Sequence, residues 1–498
     1  MTSAMNRRTF LGSAATAGAL AVVPRAVLGG AGHVAPSEKV ALAHIGMGTQ
    51  GFREFGGLLE DPHIQIVAVC DPNADTSNYV EWGKGNIRRR IRGYLGDPTW
   101  REDDDGCPGG REVGRLVVDT YYAKQRGKET YKACAAYADF REMLEKERDV
   151  DAVKIMTPDH QHATLAIAAM KKGKHVVMHK PIANRLHEGR RVMEVARETK
   201  VATHLLAYGS GAGNGRIVER IKEGVIGRLR EIHNWTNRPV WPQYTEIPTD
   251  RPPVPKGFQW DLWLGPCLDR PYHPHYTHTV YRGWYDFGGG SMADMGIYSL
   301  WPVFTGLDLP PPVSAEAWAT HTCAIKDNVS RPKKNDFAYP TASMQRFHFA
   351  ARGNTPAVDL FWYDGGMKPR LPDDMEAQDV AMGREGILFV GDEGAVMAGF
   401  NGRGPHLYAK GKKKPLRVAG GEGKGGSRHG SWREAIRGGD PSPGDFLNAV
   451  AITDAVNLGT VALRAGRKVL FDSETARITN VPAANPYLTR EYRKGWEL

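Results

Sequence analysis

Three sets of residues carry types and spacings that can do chemistry. The first is Gly46-Met47-Gly48-Thr49-Gln50-Gly51, a GxGxxG run. The second is Lys180, inside His179-Lys180-Pro181. The third is Asp294 with Tyr298, four residues apart. A glycine-rich turn that opens a helix presents backbone N–H groups and a positive dipole end to phosphates. A lysine held out of water polarises a substrate oxygen and stabilises an alkoxide as it forms. An aspartate and a tyrosine at i and i+4 share one helix face and act on one ligand. These types suit a phosphate-bearing ligand beside a site of proton transfer.

The elements that must position these residues are legible around them. Lys39 to Ile45 is an apolar strand that runs straight into the glycine turn. A helix follows over Phe52 to Leu59, then a second apolar strand, Ile64 to Cys70, ending at Asp71. Strand, glycine turn, helix, strand and acid make the dinucleotide fingerprint. Gly46 allows the tight turn, Gly48 admits the pyrophosphate, and Gly51 lets the helix approach the sheet. Asp71 stands where a carboxylate accepts from the adenosine ribose and repels a 2′-phosphate, which favours NAD over NADP.

The alternation resumes with a helix around Tyr137 to Lys146 and a strand at Asp151 to Met156. Thr157-Pro158 then starts a helix over Ala163 to Lys171, with proline in its first turn. His160 and His162 are two apart and diverge on a helix, which argues against a paired metal site; capping and cofactor contact both stay open for them. A strand at His175 to Met178 leads to Lys180, and a helix runs from Leu186 to Lys200. Ligands of open parallel sheets bind beyond the carboxyl ends of the strands. Gly46, Asp71, Thr157 and Lys180 all fall just past strand ends and so share one rim. That places Lys180 at an active site, the alternative being an exposed lysine ahead of a proline turn. Met47, Gln50, Pro158 and His162 join the candidate cofactor contacts by their place in the same turns.

The resulting fold class is a doubly wound parallel Rossmann sheet over 38–208, joined to a second domain over 209–475 and a tail over 476–498. Residues 76–131 are rich in charge, glycine and tyrosine and read as a surface excursion with some helix. The second domain is β-rich, with strand patterns at Leu229 to Asn237, Ala342 to Ala350, Ala357 to Tyr363 and Gly386 to Val390. Gly391-Asp392-Glu393-Gly394 reads as a hairpin turn. A helix over Pro443 to Ala465 and an edge strand at Val469 to Phe471 close the chain. Gly288 to Gly290 would let the Asp294 helix start close to a ligand. Aromatic residues crowd Trp235 to Trp301, with His273, His275 and His278 among them; pyranose stacking and an ordinary aromatic core both remain open.

Composition bounds the rest. The chain has 498 residues, 41% hydrophobic and 24% charged, which is ordinary globular usage for two or three domains. The net charge of +10 is spread along the chain, and no zinc-finger spacing or RNP-type motif accompanies it, so no nucleic-acid partner is expected. Lys410 to Lys414 reads as a solvated loop, and Gly420 to Gly426 as a flexible one. Cys70, Cys107, Cys134, Cys267 and Cys323 are odd in number and widely spaced, against a disulfide framework or a structural metal. Arg7-Arg8 precedes an apolar stretch from Leu11 to Val23, shorter than the about 20 residues that span a bilayer. This reads as a twin-arginine (Tat) signal over 1–32 that exports a folded protein to the periplasm. No further segment is expected to span a membrane.

With these pieces in order, the sequence resembles the Gfo/Idh/MocA oxidoreductases, the glucose-fructose oxidoreductase and inositol dehydrogenase group. The likeness rests on the IGMGTQG turn, the VCD strand end, MTPDHQHA, HKPIA, the Trp260 to Pro266 segment, Arg282 to Gly290 and Ala293 to Tyr298. It covers most of the chain from Lys39 to Asp472. The resemblance implies a Rossmann domain followed by an open, mostly antiparallel sheet that covers the nicotinamide. It implies NAD-dependent hydride transfer on a sugar, inositol or related polyol, in a homo-oligomer. It also implies Lys180 as the catalytic lysine and Asp294 as the acid that orients the substrate or the base, with Tyr298 where many members carry histidine; Lys180 or Tyr298 takes the proton. His179 departs from the glutamate usual before the lysine. Two other functions remain in view: an NAD-retaining glycosidase or lyase that oxidises a sugar transiently, and a non-catalytic sugar-binding protein.

Overall fold

The computed structural model describes residues 34–206, 212–353, 355–411, 416–417 and 429–498. The leader expected over 1–32 and the glycine loop at 420–426 lie outside the described residues, and the lysine run at 410–414 lies partly outside them.

The first sheet grows from short apolar strands that are buried on both faces, as parallel strands between helices must be. They are β1 (Val40–Ile45), β2 (Ile64–Cys70), β5 (Ala135–Tyr137), β6 (Ala152–Ile155), β7 (His175–Met178) and β8 (Thr203–Leu205). Their order is β5-β2-β1-β6-β7-β8, and every pairing is parallel. The strand order reverses between β1 and β6, so the crevice of the sheet opens between the turns after Ile45 and after Ile155. Helix α1 (Thr49–Leu59) follows β1 and buries Phe52, Phe55, Leu58 and Leu59 against it. Gly51 is forced by this packing, because a Cβ there would collide with the Gly46 carbonyl oxygen.

The segment expected as a surface excursion is instead folded into the domain. It holds β3 (Thr76–Tyr79), α2 (Asn86–Leu95), β4 (Cys107–Gly109) and α3 (Arg111–Gln125). α3 is a core helix of the Rossmann unit. Its Val113, Val117, Val118 and Tyr122 are buried, and the Tyr122 hydroxyl takes the Ile66 N–H at 3.1 Å. Its charged outer face masks this in the sequence. β3 and β4 form a two-stranded ribbon that passes over the glycine turn.

The rest of the Rossmann half comprises α4 (Phe140–Lys146), α5 (His162–Lys171) and α6 (Leu186–Thr199), close to their expected bounds. Among the described residues, the second domain holds a ten-stranded sheet, antiparallel except where β14 (Val358–Tyr363) runs parallel to β9 (Leu229–Trp235), and a separate two-stranded ribbon, Cys323–Lys326 with Val329–Pro332. β15 (Gly386–Gly391) and β16 (Gly394–Gly399) form the expected hairpin. The residues Val469–Asp472 form a strand near the edge, paired with Ser314–Ala319. Among the described residues, 446–465 is long and apolar enough to cross a bilayer, but 72% of its most apolar window is buried inside the protein. It is a core helix, packed on the second sheet and on α6. The tail beyond 476 returns to the Rossmann half, where the Arg490 guanidinium bonds Glu188 and Asn184. Gly51→Ala should destabilise the protein by about 1–3 kcal/mol, the usual range for overpacking a tight interior. Chemical denaturation of the purified variant against the parent measures it.

Candidate active site

The site is built on the rim where β1, β2, β6 and β7 end. Gly46 turns the chain there with φ +98°, and a Cβ would lie 2.6 Å from the Met156 carbonyl oxygen. Its N–H bonds the Cys70 carbonyl at 2.8 Å, which ties the turn to β2. Asp71 follows directly. Its Oδ2 accepts the Met47 N–H at 2.7 Å, and its Oδ1 accepts the Asn73 N–H at 2.8 Å. The Tyr79 hydroxyl donates to the same carboxylate, 3.2 Å from each oxygen. Burial raises the Asp71 carboxyl to about 6, although the two N–H groups and Tyr79 pull the other way.

Gly46, Gly48, Gln50, Asp71, Thr157 and Pro158 line one groove. Its opposite wall comes from the second domain, through Trp263, His278, Thr279, Tyr281 and Arg282. The sequence leaves this rim open to a ligand, whereas in the structure Tyr79 also lines it, with its hydroxyl on Asp71. The space that remains is about 90 Å³. Small-molecule sites commonly need about 300–1,000 Å³.

At the β7 end of the groove sits a charged cluster that joins the two domains. Lys180 is 2% exposed, and its Nζ lies 2.7 Å from Asp294 Oδ1. The amine also donates to the Asp294 main-chain carbonyl. Asp294 lies in one π-helical turn, Met292–Gly296, a geometry that recurs at functional sites. The helix Ile297–Gly306 continues from it and carries Tyr298. Arg282 Nε stands 3.3 Å from Asp294 Oδ1, and Arg238 Nε stands 3.8 Å from Oδ2. Burial acts to raise the Asp294 carboxyl, but Lys180 and Arg282 outweigh it and hold it down to about 2. Burial pulls the Lys180 amine below its ordinary value, and Asp294 partly restores it.

Tyr298 lies beside this pair, with Lys180 Nζ 4.7 Å from its ring centroid. Its hydroxyl is 2.8 Å from His179 Nε2. Burial, reinforced by Asp294 and Glu54, pushes that hydroxyl well above its ordinary range, so it stays neutral. Burial and Lys180 push His179 down to about 3, so its ring is neutral as well. Below the cluster, Asp364 accepts from the Ser291 hydroxyl, the Ser343 N–H and hydroxyl, and the Trp362 indole. Ser291 directly precedes the π-helical turn, so this buried carboxyl helps to fix the helix that presents Asp294. Burial raises Asp364 to about 6 despite those bonds.

The remaining expected contacts lie behind the groove. Met47 is fully buried and contributes its N–H to Asp71. Gly51 packs against Gly46. His162 is buried with Nδ1 2.6 Å from the Pro181 carbonyl and Nε2 2.9 Å from that of Thr157, so it ties the β6 and β7 loops together. His160 likewise faces the Trp263 carbonyl at 2.9 Å. The run Gly288 to Gly290 meets protein rather than a ligand: Gly289 N–H caps Asp159 at 3.0 Å, and Tyr339 lies over Gly290. Most of the aromatic residues pack as a core of their own, with Tyr244 stacked on Trp284 at 4.5 Å and Trp260 on Trp263 at 5.0 Å. Sequence reasoning missed Tyr79, Arg238 and Arg282, and named His278 only among the histidines of the aromatic-rich stretch. Arg282 stands inside a quoted motif, but nothing local to it points at Asp294.

A glycine-turn Rossmann sheet, closed by an open antiparallel sheet that delivers an acid to the Lys180 amine, defines a two-domain dinucleotide-binding protein class. Residues 111–206 match the oxidoreductase family model for the NAD-binding Rossmann fold, and residues 227–342 match its C-terminal alpha/beta domain. Both matches are to consecutive domains of the Gfo/Idh/MocA oxidoreductases. Levoglucosan dehydrogenase of Pseudarthrobacter phenanthrenivorans is 29% identical over 112 residues, covering 21% of this chain and 28% of that protein. A glycosyl hydrolase family 109 protein of Saccharopolyspora erythraea is 25% identical over 193 residues, covering 39% of this chain and 34% of that protein. The match thus spans about a third or less of these relatives' own lengths. Among solved structures, the WlbA dehydrogenase from Chromobactrium violaceum, in complex with NADH and UDP-GlcNAcA, shares the fold. The TM-score is 0.51 at 14% identity, over 88% of this chain and 97% of that one.

Asp364 has a measurable signature. A carboxyl raised to about 6 in the fold, against about 4 in the unfolded chain, favours folding in its protonated form. Its contribution is full below pH 4 and is lost as pH rises toward 6. Asp364→Asn should therefore gain stability relative to the parent across that window, by at most about 1.4 kcal/mol per pH unit. Denaturant unfolding at pH 4, 5 and 6 on both proteins reads the difference.

Proposed function

We propose that this protein is an NAD-dependent oxidoreductase that moves hydride between a nicotinamide and a hydroxyl or keto carbon of a sugar, inositol or related polyol. The observation that carries the reading is the buried Lys180–Asp294 pair, which stands behind His179 and Arg282 where they line the groove that begins at the glycine turn. The groove suits a dinucleotide in its polar detail. Gly48 and the first turn of α1 offer backbone N–H groups to a pyrophosphate. Thr157 Oγ1 and His278 Nε2 are buried there without a hydrogen-bond partner among the described residues. Asp71 favours a free 2′-hydroxyl and hence NAD. The two domain matches and the dehydrogenase name of a relative support the same reaction class.

When bound, the nicotinamide supplies the hydride acceptor. The chain supplies the rest. Lys180, flanked by Arg282 and Arg238, stabilises negative charge on the substrate oxygen. Between Lys180 and Tyr298, burial makes the amine easier to deprotonate and the phenol harder. Lys180 therefore carries the substrate proton, giving it as the ammonium to a keto oxygen on reduction and taking it as the free amine from an alcohol on oxidation, while Tyr298 orients the oxygen as a neutral hydroxyl. Asp294 holds Lys180 in place. Export through the Tat pathway belongs to this reading, supported by Arg7-Arg8 and the apolar stretch behind them. So does self-association, implied by the resemblance.

The test is the absorbance of the purified full-length protein in the reduced-nicotinamide band, with NAD and a panel of sugars and inositols. Growth of that band with one of them is the expected result. Lys180→Met should lower the rate at least about 100-fold while NADH still binds, since the lost group acts on charge that develops in the transition state. Sugar turnover without net reduction would move the assignment to an NAD-retaining glycosidase or lyase. Failure of NADH to bind at all would end the dinucleotide reading.

A further inference from the structure

Tyr79 stands in the groove but belongs to no motif, and its position has a chemical consequence. A carboxylate has about four lone-pair positions on its two oxygens. On Asp71 two are taken by the backbone N–H groups of Met47 and Asn73. The Tyr79 hydroxyl, with one proton to give, lies 3.2 Å from both oxygens and stands on the face that remains. The ring that carries this hydroxyl is wedged over the glycine turn, 2.8 Å from where a Gly48 Cβ would stand, with Gly109 on its other side.

Both walls of the groove hold the ring there. From the Rossmann side, the Thr49 hydroxyl donates to the Val80 carbonyl at 2.6 Å. From the second domain, Thr279 reaches the same carbonyl at 3.4 Å, and the His278 ring packs on Tyr79 with centroids 4.3 Å apart. His278 does so with φ +55°, a conformation that costs a non-glycine residue energy and recurs at functional sites. Its Nε2 is buried and unpartnered among the described residues.

We propose that Tyr79 is a further dinucleotide-site residue, whose hydroxyl occupies the ribose-binding face of Asp71 and must yield it to the adenosine ribose when the cofactor binds. The proposal rests on the dinucleotide reading above and adds a gate to it. The residues 76–80 form a strap across the cradle, and His278 pins that strap from the second domain. The space beneath the strap, about 90 Å³, is small for a dinucleotide, and in this gate the strap lifts as the cofactor seats. A site competent only in a minor state binds more weakly by the fraction of that state. Removing the competing hydroxyl therefore strengthens binding.

The test compares full-length parent and Tyr79→Phe protein for NADH, by fluorescence titration and stopped-flow association. The variant keeps the ring and loses the hydroxyl. Its NADH affinity should rise roughly ten-fold, the scale of one hydrogen bond to a charged group, with faster association. Reduced nicotinamide mononucleotide lacks the adenosine ribose and should bind both proteins alike. His278→Ala should also speed NADH association, by loosening the strap without touching Tyr79. Unchanged or weaker NADH binding by Tyr79→Phe overturns the proposal, as does an equal gain for the mononucleotide or an unchanged association rate in His278→Ala. Failure of every protein to bind NADH removes the dinucleotide reading along with it. NADH binding with no Tyr79 effect sinks the gate alone.

Discussion

The ion pair between Lys180 and Asp294 is the constraint on which the site depends. A lysine 2% exposed, with its charge unpaired, would cost several kcal/mol. The pair forms between a loop of the parallel sheet and a π-helical turn of the second domain, 114 residues later. Breaking such a pair by removing one partner commonly costs about 3–5 kcal/mol. The amine is therefore in place only when the two domains are packed, and their packing is itself part of the active-site geometry. Arg282 and Arg238 add two more cations around one carboxylate, and Glu385 stands 3.8 Å from Arg238 as a second acid.

The same dependence on both domains appears along the groove. Asp159, from the turn after β6, takes the Gly289 N–H and the Tyr281 hydroxyl, both from the second domain. Gln161 bonds the carbonyls of Leu262 and Trp263. Residues that look like first-turn caps in the sequence are thus the seams between the domains. Their buried histidine neighbours, His160 and His162, are held by backbone carbonyls and serve this joint. The groove is the gap that these seams leave open.

Legibility followed the range of the interactions. Four of the six parallel strands, the glycine turn and the helices Leu186–Thr199 and His162–Lys171 were readable because period and punctuation are local, whereas the three-residue strands Ala135–Tyr137 and Thr203–Leu205 are too short to show a period. The common rim of Gly46, Asp71, Thr157 and Lys180 was readable too, since strand ends of a parallel sheet face one way. α3 was not, because a long charged insertion precedes it and its apolar stripe is interrupted by charge. The glycines before Asp294 were read as space for a ligand, but their neighbours are Asp159 and Tyr339, which lie far off in the chain.

The amino-acid sequence by itself determined the cradle: a tight turn that only glycine can make, an acid at the next strand end, and a lysine on the same rim. Those follow from backbone sterics and strand direction, which act over a few residues. Only the tertiary structure decided what stands opposite each of them. Tyr79 over Asp71, His179 against Tyr298, and Arg282 and Arg238 around Asp294 are meetings of side chains brought together by the burial of two cores. Burial is non-directional and sums over the whole chain, so no window of sequence records which partners it selects.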